Sequence, residues 1–155
     1  MSDPGDPIII GCDHAAFAMK EIIKAFLVNR GLAVEDAGTF DESSVDYPDF
    51  GARVAGAVSR GAVPRGILLC GTGLGMSMVA NKFPNVRAAL CCGIFHARMA
   101  RQHNDANILV LGARVTGDIL ALDIVATWLD TPFEGGRHQT RIDKFSRLED
   151  MTLES

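Results

Sequence analysis

The sequence predicts an α/β fold, a parallel sheet with helices on both faces, and three observations predict it. Short apolar runs alternate about five times with helical stretches along the chain. Two of the clearest runs lead straight into glycines, at Gly11 and Gly71. The length of 155 residues, with 48% hydrophobic and 22% charged residues, suits one globular domain, 1–155, and excludes a disordered chain.

Each element has a local reason. Residues 7–10, Pro-Ile-Ile-Ile, are a short apolar run and read as a buried strand. Met19, Ile22, Ile23, Phe26 and Leu27 then recur at helical spacing, with Lys20, Glu21 and Lys24 expected outside. Gly31 follows Asn29-Arg30, where a helix stops. Residues 32–35 read as a second strand, and residues 38–47 as a polar loop before Pro48 opens a helix. Residues 66–70 are the clearest strand. A helix over 75–82 stops near Pro84, and residues 86–91 and 108–111 complete the strands. Helices are expected at about 94–103 and 117–129, the latter with Ile119, Leu122, Val125 and Leu129 as its apolar stripe and Thr116 or Asp118 as its cap. A final helix begins near Arg137 and carries Ile142, Phe145 and Leu148; residues 1–6 and 149–155 are expected to be flexible.

Composition narrows the function classes. Net charge is −4 and aromatic content 6%, which disfavours a phosphate-backbone binder or a base-stacking platform, so no nucleic-acid partner is expected. The charge is uneven: −7 over residues 1–50 and +3 over residues 51–155, so an anion site draws on the later half. No apolar run is long enough to span a bilayer, and the acidic, turn-forming start is unlike a secretory signal. Cys12, Cys70, Cys91 and Cys92 form no C-x-x-C pair, so a zinc ribbon is unsupported and a reducing cytoplasm is the expected setting.

In a doubly wound sheet, ligands sit beyond the carboxyl ends of the strands. Gly11-Cys-Asp-His14 lies there, and its Asp-His pair reads equally as a site or as a helix cap beside a surface histidine. Cys70-Gly-Thr-Gly-Leu-Gly75 leaves a strand and enters a helix. Its alternating glycines let backbone N–H groups approach an oxyanion, and the helix start favours a thiolate at Cys70. It is neither a dinucleotide fingerprint, since Met76 stands at the last glycine position, nor a Walker A loop, since no Gly-Lys-Ser/Thr follows. Arg101-Gln-His-Asn-Asp105 reads on its own as a polar helix end. Arg137 and Arg141 share a helix face behind Gly135-Gly136 and either clamp a phosphate or form a solvated basic face; Arg114, past a strand end, can join them. Cys92-x5-Arg98 has the spacing of a cysteine phosphatase loop, but Ile-Phe-His-Ala with a single Gly93 does not make a phosphate nest.

Taken together, the blocks Gly-Cys-Asp-His (11–14), Asp-Tyr-Pro (46–48), Cys-Gly-Thr-Gly-x-Gly (70–75), Ala-Asn-Lys (80–82), Arg-Gln-His-Asn-Asp (101–105) and Gly-Gly-Arg-His-Gln (135–139) resemble, in this order, the ribose-5-phosphate isomerase B family, which includes galactose-6-phosphate isomerases. The resemblance implies a Rossmann-like three-layer subunit with a five-stranded parallel sheet and a C-terminal helix. It implies a homodimer or dimer of dimers with the active site between subunits, and neither metal nor organic cofactor. By position, Cys70 resembles the base that moves a proton between C1 and C2, assisted by Thr72, with the amides of Gly71, Gly73, Leu74 and Gly75 holding the enediolate. His103 resembles the ring-opening acid/base, with Asp13 on the sugar; His14, Arg114, Arg137 and Arg141 resemble phosphate contacts, and Tyr47 and Asn104 the sugar wall. Some relatives carry Glu at the position of Met76 and lack the cysteine. Cys92-Gly-Ile-Phe95 departs from an often acidic-aromatic stretch.

The residue types agree with that chemistry. An aldose–ketose isomerase needs a base for a carbon-bound proton, donors for the oxyanion, a ring opener and a phosphate anchor. The expected reaction interconverts ribose 5-phosphate and ribulose 5-phosphate. The alternatives are another aldose phosphate (galactose or allose 6-phosphate, or a tetrose phosphate) and a non-catalytic sugar-phosphate-binding protein.

Overall fold

The computed structural model describes residues 6–153. Five strands, β1 (Ile8–Cys12), β2 (Val34–Asp36), β3 (Arg65–Cys70), β4 (Ala88–Leu90) and β5 (Ile108–Gly112), form one sheet in the order β2-β1-β3-β5-β4. Every pairing is parallel. The helices are α1 (Phe17–Asn29), α2 (Tyr47–Ser59), α3 (Leu74–Ala80), α4 (Ile94–Gln102), α5 (Asp118–Asp130) and α6 (Arg137–Leu153). The predicted elements are all present, with bounds shifted by a few residues, and a short 3-10 turn, His14–Ala16, was not foreseen. The flexibility expected of residues 1–5, 154 and 155 lies outside the described residues; α6 is helical to Leu153.

Strand side chains alternate between two cores. Ile8, Ile10, Ile67, Leu69, Leu109 and Leu111 face α1, α4 and α5, whereas Ile9, Leu68, Cys70, Ile108 and Val110 face α2 and α3. Both faces are covered, which explains why the strands read as continuous apolar runs. Helix α2 lies so close to the sheet that a Cβ at either Gly11 or Gly66 would come within 2.8 Å of Val54.

Two helix readings are corrected. Helix α5 turns Ala121, Ile124, Val125 and Trp128 inward, leaving Ile119 81% exposed, and its start is Gly117 without a side-chain cap, not Thr116 or Asp118. The sequence stripe was rotated because Trp128, by far the largest side chain there, decides the face. Helix α1 buries Lys20 completely, although it was expected outside. Its Nζ donates to both Asp36 oxygens at 2.7 Å and lies 3.0 Å from Glu21, while Lys24 reaches Asp36 at 2.8 Å. A partner from β2, distant in sequence, is what makes that burial tolerable.

This cluster also shapes the loop after β2, because Asp36 Oδ1 accepts from Gly38 N–H. Burial works against ionisation of Asp36, but the Lys20 and Lys24 hydrogen bonds outweigh it and hold its pKa below the ordinary value. Asp36→Asn is expected to cost about 3 kcal/mol by leaving the buried Lys20 ammonium with the more exposed Glu21 as its one remaining carboxylate. Lys20→Met should cost less, since Asp36 keeps Lys24; equilibrium urea unfolding checks the order. The stabilisation is present above about pH 4, the unfolded carboxylate value, and is lost as pH falls through the lower folded value. Asp36→Asn should therefore remove that part of the acid limb.

Candidate active site

The strand order reverses between β1 and β3, and their carboxyl ends lie side by side: Asp13 N–H donates to Leu69 O at 3.2 Å. Ligands of open α/β sheets bind at such a crevice. Here Asp13 Oδ1 accepts from Ala15 N–H at 3.0 Å, so Asp13 caps the 3-10 turn while its carboxylate sits at the sheet end. His14 Nδ1 accepts from Val45 N–H at 3.2 Å. In its neutral form the ring proton is then on Nε2, which makes that nitrogen a donor. The loop that supplies Val45 also starts α2 with Tyr47, whose ring covers Gly75: a Cβ there would meet it at 2.6 Å.

Cys70 ends β3. Although it is only 5% exposed, its sulfur faces the glycine loop, where Gly73 N–H donates to Sγ at 3.2 Å. Burial pushes the thiols of Cys12 and Cys91 up to about 12. All four cysteines are free. Cys91 packs in the core and Cys92 is exposed. Thr72 Oγ1 accepts from Leu74 N–H at 3.3 Å, and Gly73 takes a left-handed φ of 79°. The loop is further bound to the end of β5: Ala113 N–H donates to Cys70 O at 2.9 Å and Arg114 N–H to Gly71 O at 2.8 Å. The Arg114 side chain lies along Gly71.

Sequence reasoning passed over Gly112. A Cβ there would sit 2.5 Å from the Thr72 backbone, so the loop can cross β5 only over a glycine. Its place just past an apolar strand was the available signal.

The remaining candidates lie elsewhere. His103 follows α4 and Asn104 leads toward β5, so both are at the amino end of the sheet, with Arg137 and Arg141 at the start of α6 beside them. Glu134 N–H donates to Gln102 O at 3.1 Å, and the His138 ring stacks on His103 at 4.2 Å. Cys70 pairs with Gly112 at the other end of β5. A five-residue strand therefore separates the two groups by roughly 15 Å. One chain brings Asp13, His14, Tyr47, Cys70, Gly71, Thr72, Gly73, Leu74, Gly75 and Arg114 together, and His103, Asn104, Arg137 and Arg141 together, but does not join the two sets.

The lower set holds the one grouping of metal-type ligands found among the described residues, His103, Glu134 and His138, with donor atoms within 4.8 Å of one another. The two rings are within 11° of parallel, so their lone pairs run side by side instead of converging on an ion. Burial, His103 and Arg137 lower the His138 pKa, and its Nε2 lies 3.4 Å from Glu134 Oε2. The cluster fits a stacked histidine pair beside a carboxylate better than a metal site.

Residues 8–145 match the family description Ribose/Galactose Isomerase. The chain belongs to the ribose/galactose isomerase family. It is 48% identical over 142 residues to ribose-5-phosphate isomerase B of Escherichia coli (strain K12), covering 92% of this chain and 95% of that one. The structure of Clostridium thermocellum ribose-5-phosphate isomerase B superposes with a TM-score of 0.93 at 55% identity, covering 94% of this chain and 99% of that chain. D-erythrulose-4-phosphate isomerase of Pectobacterium atrosepticum is 43% identical over 144 residues, 92% of this chain and 94% of that one. By family, the chain is an aldose–ketose isomerase of the B type with the fold that the sequence predicted.

Gly75→Ala should displace the Tyr47 ring from this loop and lower isomerase kcat/KM by on the order of 10–100-fold while the protein stays folded. Steady-state kinetics beside thermal unfolding checks it; unchanged kinetics would take Tyr47 out of the site.

Proposed function

We propose that the enzyme interconverts ribose 5-phosphate and ribulose 5-phosphate through an enediolate, with Cys70 as the base. The observation that carries this reading is the Gly73 N–H to Cys70 Sγ contact at the mouth of a glycine-lined helix start. The thiolate takes the proton from C2 of the open aldose and returns it to C1, the loop amides hold the oxyanion, and Thr72 assists from the loop. Asp13 binds the sugar, and His103 opens the ring. His14, through Nε2, and Arg114, Arg137 and Arg141 hold the phosphate, and Tyr47 and Asn104 wall the sugar. Binding energy at the phosphate then orients the reacting carbons.

Because one chain keeps Cys70 and His103 at opposite ends of β5, the proposed site is completed by a second copy: Cys70 from one subunit and His103, Arg137 and Arg141 from its partner. Helix α6 supports this. It is tied down near His138 and Ile142, but Phe145, Leu148 and Met151 form an exposed apolar stripe, and β4 is an open sheet edge. A homodimer or dimer of dimers would cover both.

Cys70→Ala is expected to abolish turnover with substrate binding retained. Mixing unfolded Cys70→Ala and His103→Asn chains and refolding them together should then restore about a quarter of wild-type activity, because half the dimers are hybrids with one intact site of two. No recovery on mixing would place both residues in one chain's site or remove one of them from catalysis. Arg137→Ala should mainly raise KM; an unchanged KM would move the phosphate elsewhere. A tetrose phosphate is the second reading, favoured by the Pectobacterium relative. Comparing kcat/KM across a panel of phosphorylated aldoses separates the two.

A further inference from the structure

Away from the isomerase residues, a cleft of about 620 Å³ opens at the amino end of the sheet between the end of α1, β3 and the end of α5. Its cationic wall is Arg30, Arg65 and Arg101; Leu32, Leu129 and Phe133 supply an apolar wall. Arg65 is only 9% exposed, and its Nε has no hydrogen-bond partner. Three buried side-chain polar atoms lack a partner among the described residues, and all are nitrogen donors in this cluster: Arg65 Nε, Arg101 Nε and Trp128 Nε1. Both guanidiniums lie 5.7 Å from the Trp128 ring. Burial and then Arg101 lower the Arg65 pKa, with Asp6 and Asp130 acting the other way.

Two carboxylates, Asp105 and Asp130, also line the cleft, and both are engaged: Asp130 pairs with Arg30, and Asp105 with Arg87 and Arg101, whose Nη1 also donates to Ala106 O. Asp6 lies near Arg65 on the neighbouring surface without entering an ion pair with it within 4 Å. Arg65 enters no ion pair within 4 Å among the described residues, and the neighbouring Arg101 charge adds to the cost of burying it, which an acceptor in the cleft would relieve. A carboxylate offers two oxygens, enough for one arginine fork. A phosphate dianion offers three, which suits two guanidiniums, and the volume is that of a small-molecule site.

We infer that this cleft binds a small phosphomonoester, its phosphate on Arg65 and Arg101 and an apolar or ring body against Phe133 and Leu32. The site is separate from the phosphate contacts proposed for the isomerase reaction, and none of its residues serves in them. Phenyl phosphate is the probe, titrated calorimetrically into the full-length Arg137→Ala/Arg141→Ala protein so that the proposed substrate phosphate site is disabled. One molecule is expected to bind per chain and to raise Tm. Adding Arg65→Gln should weaken binding at least tenfold and remove the Tm shift. Arg65→Met, which keeps the packing on Trp128, should do the same and raise Tm without ligand, so a folding defect in the Gln variant does not leave the question open. Binding that is insensitive to both Arg65 substitutions, no binding at all, or phenol binding as well as phenyl phosphate would overturn the inference.

Discussion

A parallel sheet sealed on both faces leaves polar chemistry only two places, the ends of its strands. Here both cores are apolar and the helices close over them, so every group that handles charge at the proposed site lies at one strand end or the other. The carboxyl end gathers Asp13, His14 and the Cys70 loop because the strand order reverses there. The amino end gathers His103, Arg137 and Arg141 because α4 must turn back into β5 and α6 starts beside that turn. The length of the strands keeps the two sets apart, and a second copy of the chain is the proposed means of joining them.

The glycine loop works by close approach as much as by freedom. Gly73 needs its left-handed φ, but Gly112 and Gly75 are required because a Cβ would strike the Thr72 backbone or the Tyr47 ring. These contacts fix the amides, and through Gly73 N–H they fix the sulfur of Cys70. Cys12, at the end of β1, points into the opposite core, where burial pushes its thiol up to about 12 despite a backbone hydrogen bond from Thr39 and the nearby Lys20.

The two most deeply buried cations show opposite solutions to one problem. Lys20 is compensated by Asp36 and Glu21, and the result is a rigid post under the loop that carries Val45 and Tyr47. Among the described residues Arg65 has no such partner, and it lines a cleft instead. A buried charge that is paired within the chain is architecture; one that is not points to something outside the chain.

By itself the sequence determined the alternation of strands and helices, the glycine loop after Cys70 and, through six ordered blocks, the family. These are local: apolar period, glycine placement and motif spacing act within a few residues. Tertiary structure alone decided that Lys20 lies inside, that α5 turns on Trp128 and not on Ile119, that Gly112 is indispensable to the loop, and that the proposed site residues fall at two ends of the sheet. Each depends on what another segment brings within a few ångströms, such as a carboxylate from β2 or the Thr72 backbone over β5. A pattern read along one segment holds no record of that neighbour, because burial and charge pairing are set by contacts between residues far apart in the chain.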